Sequence, residues 1–350
     1  MPTAPRSSAN CCAEKRTADL PIPARPSTDR SAHRSYVGKG SGMTDRIEED
    51  LGPNAPAEPR KSLGVRIFEF PLVAMLVAIV VVVIVTGIAG AVMLQFGKVD
   101  SELVANAVPV VIETILLFAA YKLIVARLGE RPRDDLPLDR RANDLWRGAL
   151  WAGALMSAIV GVAALLGGYR LLGWGTGDSW EMIFFFAGVH AAFFEEILFR
   201  GIIFRFLEEF GGSWFALAIS AALFGLVHLA NDNASMLAAI AIAVEAGVLL
   251  GGAYMLTRNL WLAMGIHFGW NVVQGYVWDV PVSGKAVEGL VEAQPVGSPL
   301  ISGGMFGLEA SVVALVLATA AGVWLVALAV RRGHVVRPWW TRRRERAVAG

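Results

Sequence analysis

Phe193-Phe194-Glu195-Glu196-Ile197-Leu198-Phe199-Arg200 is the stretch whose reading decides the fold. Two adjacent carboxylates and a guanidinium sit among bulky apolar side chains, and the apolar run continues on both sides from about Trp180 to Phe206. A segment of roughly 20 apolar residues is long enough to cross the hydrocarbon core of a bilayer. Ionisable groups at that depth are costly, so they pair with one another or line a wet cavity and do work there. Glu196 and Arg200 are four residues apart and share a helical face, within ion-pairing reach. Glu195 points elsewhere. Two carboxylates in different surroundings take different proton affinities, which is how acid and base roles separate. On this reading Glu195 is the free base and Glu196 the partner of Arg200, with Ala191 and Ala192 leaving space one turn earlier.

The rest of the chain repeats the apolar pattern. Of 350 residues, 55% are hydrophobic and only 17% charged, with a mean hydropathy of +0.54. A soluble domain of this size is less apolar, so the fold class is an all-α polytopic membrane protein with an active site inside the helix bundle. About eight transmembrane helices are expected, over Phe68–Leu94, Glu102–Val125, Leu145–Leu166, Trp180–Phe206, Trp214–Leu229, Met236–Leu256, Leu260–Val277 and Leu308–Val330. Gly161 is expected to interrupt the third. Gly247, Gly251 and Gly252 in the sixth suit close helix packing in lipid.

Residues 1–62 are rich in Pro, Ser, Ala, Arg and Asp and read as a disordered cytoplasmic tail without a signal peptide. Met43 is the expected true start. Cys11 and Cys12 are adjacent in that tail, and no Cys/His metal spacing follows. Residues 63–335 form the transmembrane domain, with a core at about 180–275, and 336–350 form a basic tail. Lys and Arg cluster before the first span, after the second, between the sixth and seventh and at the C-terminus. With eight spans all of these fall on one side, so the positive-inside rule puts both termini in the cytoplasm of a cell inner membrane. The lipid bilayer is the implied partner. A net charge of +1 offers no electrostatic footprint for nucleic acid.

Two further polar clusters accompany the first. His228 follows Phe224 by four residues, so the ring can wall a pocket beside the imidazole. His267 and Asn271 are also four apart and share a face, with Gly265 and Gly269 leaving the backbone accessible. An imidazole and a carboxamide aimed at one point can bind a metal or donate to an oxyanion. His190 reads as a packing or supporting histidine, Glu245 as a further buried carboxylate, and Asn231-Asp232-Asn233 as a polar loop. Glu208-Glu209 reads as a solvated helix end. The segment from Trp278 to Gly307 reads as an outer loop able to cover the mouth of the bundle.

Taken in order, Glu195-Glu196-Ile197-Leu198-Phe199-Arg200 reads as EExxxR, Phe224 to His228 as FxxxH and His267 to Asn271 as HxxxN. This series on successive membrane helices resembles the CAAX protease and bacteriocin-processing family of intramembrane endopeptidases, which includes the Ras-converting prenyl-protein peptidases. The resemblance covers about residues 180–275. It implies an endopeptidase acting on a peptide or membrane-protein substrate. Glu195 would be the general base, His228 the histidine of the second motif, and His267 with Asn271 the oxyanion-stabilising pair. Glu196 and Arg200 would support the first helix.

The resemblance leaves the chemistry open between zinc held by Glu195, His228 and His267, and a metal-free glutamate mechanism, the latter slightly favoured. HExxH is absent. The alternatives are a proton-coupled membrane transporter, since intramembrane Glu, His and Arg also suit proton relays, and a catalytically silent scaffold or immunity factor. The Ala-, Gly-, Val- and Arg-rich style suggests a high-GC bacterium, in which prenylated substrates are not expected.

Overall fold

A computed structural model of the protein describes residues 62–96 and 101–349. The expectations for the N-terminal tail, including Met43, Cys11 and Cys12, lie outside the described residues. Among the described residues, seven helices are long and apolar enough to cross a membrane. The chain is a multi-pass helical membrane protein, as its composition implies.

A short helix α1 (Leu63–Glu69) leads into α2 (Pro71–Phe96), followed by α3 (Glu102–Leu123) and α4 (Asp144–Leu165). The continuous helix α5 (Met182–Gly211) carries the first polar cluster. It is followed by α6 (Ser213–Val227), α7 (Met236–Thr257), α8 (Trp261–Val272), α9 (Val312–Arg331) and the basic α10 (Trp339–Ala349). The seventh expected span, Leu260–Val277, is represented by α8, 12 residues long, extended by a five-residue π-type turn. It is shorter than the crossing helices and packs heavily against α4.

Helix starts follow side-chain chemistry. Ser101, Ser235 and Ser311 each accept a hydrogen bond from a first-turn backbone N–H, at Val104, Ala238 and Ala314. Each satisfies a donor that the helix itself cannot. Gly161 does not interrupt α4, because it faces open space and the helix runs through it. Gly265 and Gly269 act differently from the expectation. A Cβ at Gly265 would lie 2.0 Å from the Leu145 carbonyl oxygen, and one at Gly269 would lie 2.2 Å from that of Ala149. They bring α8 against α4 rather than baring backbone to the site. Two positions on, the helix presents His267 and Asn271 to the other side.

Helix α5 is not uniform. Met182–His190 and Ile197–Phe204 are π-type, and Ala191–Glu196 between them is α. Wider turns of this kind concentrate at functional positions, where they reorient side chains within a continuous helix.

The segment expected as a loose outer loop contains a strand. β1 (Tyr169–Trp174) pairs antiparallel with β2 (Val291–Pro295), Tyr169 opposite Pro295 and Trp174 opposite Val291. At the other end of the bundle, buried charges replace the solvated end expected at Glu208-Glu209. Glu208 accepts from Arg258 and from the Ser213 hydroxyl, both at 2.6 Å, and Glu209 lies 3.7 Å from Arg205. Asp135, wholly buried, accepts from Tyr121 at 3.0 Å and Tyr254 at 2.9 Å and pairs with Arg133. Arg205 donates to the carbonyls of Val125, Leu128 and Arg131. Buried charges persist only when paired and hydrogen-bonded in this way, so this knot ties the α3–α4 connection to α5 and α7.

Candidate active site

Glu196 and Arg200 lie on α5 and are almost completely buried. The Arg200 Nη1 donates to Glu196 Oε1 at 3.0 Å, and its Nη2 donates to the Ala246 carbonyl at 3.3 Å. The guanidinium also lies 4.4 Å from the centre of the Phe224 ring, an attractive placement for a cation over an aromatic face. Glu196 Oε1 accepts a second hydrogen bond, from His267 Nδ1 at 2.9 Å. Arg200, Glu196 and His267 thus form one buried chain from α5 to α8.

That chain orients the imidazole. A carboxylate can only accept, so the His267 Nδ1 carries its hydrogen towards Glu196. The ring's other nitrogen, Nε2, faces Glu195 Oε2 at 3.9 Å. That is too long for a direct hydrogen bond. Glu195 differs from its neighbour: its side chain is 24% exposed, against none for Glu196, and Oε2 has no hydrogen-bond partner in the protein. Glu196 is therefore sealed and paired through Oε1, whereas Glu195 is partly exposed and keeps its buried Oε2 without a partner.

His228 follows the last residue of α6. Its Nδ1 donates to the Phe224 carbonyl at 2.7 Å, which leaves Nε2 as the free nitrogen. The Phe224 ring stands between the two imidazoles, with centroids 4.8 Å from His228 and 6.2 Å from His267. Asn271 lies one turn beyond His267, and its Nδ2 donates one hydrogen to the Ala187 carbonyl at 2.7 Å. A second N–H remains on that amide.

A cavity of about 40 Å³ is bounded by Phe224, His228, His267 and Asn271, with Glu245, Ser283 and Glu309 on its other walls. It has room for a water-sized group or slightly more. Glu195 is not among the residues lining it and stands beside it, its Oε2 3.9 Å from His267 Nε2. Among the described residues, no three His, Cys, Asp or Glu side chains gather closely enough to hold a metal ion. The set Glu195, His228 and His267 thus does not fit zinc as arranged.

His190 faces elsewhere, pairing with Glu113 on α3 at 2.8 Å and stacking on Phe194. Asp232 is exposed, 3.7 Å from Lys285. Its neighbours Asn231 and Asn233 donate to the carbonyls of Ser283 and Gly284. They clamp the loop that closes the cavity, in which Ser283 holds the left-handed conformation at φ 47°. Sequence reasoning missed Glu113, Gln274, Ser283 and Glu309. Glu309 accepts from Gln274 at 2.6 Å and from the Ser283 backbone N–H at 3.1 Å, and burial pushes its carboxyl up to about 7. The available signal was Gln274, a polar residue on the apolar stretch three positions after Asn271.

Residues 177–273 match the family model described as Rce1-like, type II CAAX prenyl endopeptidase. No curated protein and no solved structure matches the chain. The matched segment contains α5, α6, α7 and α8 whole, and so every residue of the three motifs. The match agrees with the resemblance drawn from EExxxR, FxxxH and HxxxN, and it supports a CAAX-type intramembrane endopeptidase in general for the segment it covers.

Proposed function

We propose that the protein hydrolyses a peptide bond of a membrane-associated or peptide substrate, with Glu195 activating the water and His267 and Asn271 stabilising the oxyanion. The observation that carries this reading is the buried Arg200–Glu196–His267 chain, which aims His267 Nε2 at an unpaired Glu195 across a 3.9 Å gap. A partly exposed carboxylate with an oxygen that no partner occupies is placed to act as a general base. Glu195 takes a proton from water, and the hydroxide oxygen attacks the scissile carbonyl carbon. The carbonyl electron pair moves onto oxygen. With Nδ1–H held by Glu196, a second ring proton can sit only on Nε2, where His267 donates to that oxyanion. The remaining N–H of Asn271 donates beside it. His228, with its Nδ1–H given to Phe224, offers Nε2 to orient the water. The tetrahedral carbon then expels the amine, which takes its proton from Glu195. No step is routed through a metal, because the donor set does not gather for one.

The protease core spans about 180–275, within a transmembrane domain at 63–335. Counting α8 with its π-type turn as an eighth crossing, the distribution of Lys and Arg supports an inner-membrane location with both termini cytoplasmic. Quantitative comparison of protein N- and C-termini in membranes from wild-type cells and from cells carrying Glu195→Gln tests the reading. Paired new termini in the wild type that vanish in the variant are expected. Identical sets of termini would overturn it.

A further inference from the structure

The cavity has an acidic wall that the hydrolytic reading does not use. Glu245, on α7, is fully buried and lines the cavity, and neither of its carboxyl oxygens has a hydrogen-bond partner in the protein. Glu309, just before α9, lines the same cavity and is 4% exposed. Among the described residues, no Lys or Arg lines it. Arg200, whose Nη2 reaches the neighbouring Ala246 carbonyl, is engaged with Glu196.

A buried carboxyl group without a partner is costly to keep. Glu245 without a partner, with Glu309 across the same cavity and no Lys or Arg among the lining residues described, makes a seat for positive charge. Among the described residues no three His, Cys, Asp or Glu side chains gather here as a metal site would need. The remaining walls are apolar, with Ile242, Leu249, Leu250 and Trp270 among them. Such walls suit the hydrocarbon stem that carries a basic head group. At about 40 Å³ the cavity admits an ammonium group.

We propose that Glu245 and Glu309 bind the cationic end of the substrate, the ammonium of a Lys side chain or a free α-amino group, and so select peptides with positive charge close to the scissile bond. The assignment rests on the peptidase reading above and makes Glu245 a specificity-determining residue for it.

The test uses the purified full chain in lipid vesicles, as wild type, Glu245→Gln and Glu309→Gln, with a library of matched peptides. Lys is exchanged for norleucine or Gln at each position, and every peptide is made with a free and with an acetylated N-terminus. The wild type should cleave basic peptides about tenfold or more over their neutral matches. That ratio should fall towards one in Glu245→Gln and shrink in Glu309→Gln. Loss of the preference on acetylation assigns the cation to the α-amino group, and persistence assigns it to the side chain. Equal ratios in wild type and Glu245→Gln overturn the proposal and leave the peptidase reading intact.

A second arm measures the thermal unfolding midpoint in methylammonium chloride against sodium chloride at equal ionic strength. If no peptide is cleaved, the peptidase reading fails, and this arm decides the acid pair alone. A methylammonium-dependent rise that is lost in Glu245→Gln upholds the cation seat, and its absence in the wild type overturns it.

Discussion

Replacing Arg200 by methionine removes the one cation that contacts Glu196 and keeps an aliphatic side chain of similar length. Glu196 has no exposed side-chain surface and Arg200 has 1%. The variant therefore leaves a carboxylate sealed away from water, with only His267 to partner it. Breaking a buried pair by deleting one member typically costs about 3–5 kcal/mol. The lost contact with the Phe224 ring and the freed Ala246 carbonyl act in the same direction. Arg200→Met combined with Glu196→Gln removes both charges and keeps an amide oxygen for His267. It should recover more than half of the loss, since exchanging a whole buried pair for neutral groups is often close to neutral. Unfolding free energies in mixed micelles, measured by detergent titration for wild type, both single variants and the double, check this. A single variant within about 1 kcal/mol of wild type, or a double variant no better than the single, would refute the buried-pair argument.

Gly269→Ala forces a methyl group into a space 2.2 Å from the Ala149 carbonyl oxygen, so α8 must move off α4. About 1–3 kcal/mol of stability should be lost, along with much of the cleavage rate, whereas Gly161→Ala, facing open space, should leave both unchanged; thermal melts and peptide cleavage distinguish the two. Glu309 has a carboxyl raised from 4.5 to about 7 by burial, so the folded state holds its proton more tightly than the unfolded chain does. Its contribution is fullest below pH 4.5 and is lost as pH rises to about 7, a change of the order of 3 kcal/mol. Glu309→Gln should flatten the stability–pH profile in that window, and an unchanged slope between pH 5 and 8 in melts would contradict the assignment.

The apolar spans and the EExxxR pair were legible because local rules govern them. Hydrocarbon thickness sets the length of a span, and a four-residue spacing puts Glu196 beside Arg200 whatever surrounds the helix. Partners distant in sequence were not legible. Nothing local says that His267 meets Glu196, that His190 meets Glu113, or that Glu309 is held by Gln274 and Ser283, since each pair forms only when helices pack. Gly265 and Gly269 showed that something approaches the backbone closely, but the sequence does not say whether that is a substrate or a neighbouring helix. Glu208-Glu209 read as a solvated end because Arg258, which buries Glu208, lies far along the chain. β1 and β2 escaped notice because Tyr169–Trp174 and Val291–Pro295 are short and pair across more than a hundred residues. The left-handed Ser283 is set by its bonds to Glu309 and by the Asn231 clamp, neither of which lies near it in sequence.

The central claim is that Glu195, partly exposed and with its Oε2 unpaired beside His267, takes the proton from the attacking water. Its most direct test is the initial cleavage rate of purified wild type and Glu195→Gln, reconstituted in the same vesicles, on a peptide identified from the membrane termini. The account predicts a loss of about 10²–10⁴-fold, with an unchanged thermal melt showing that the fold is intact. A folded Glu195→Gln protein that cleaves at the wild-type rate would contradict it.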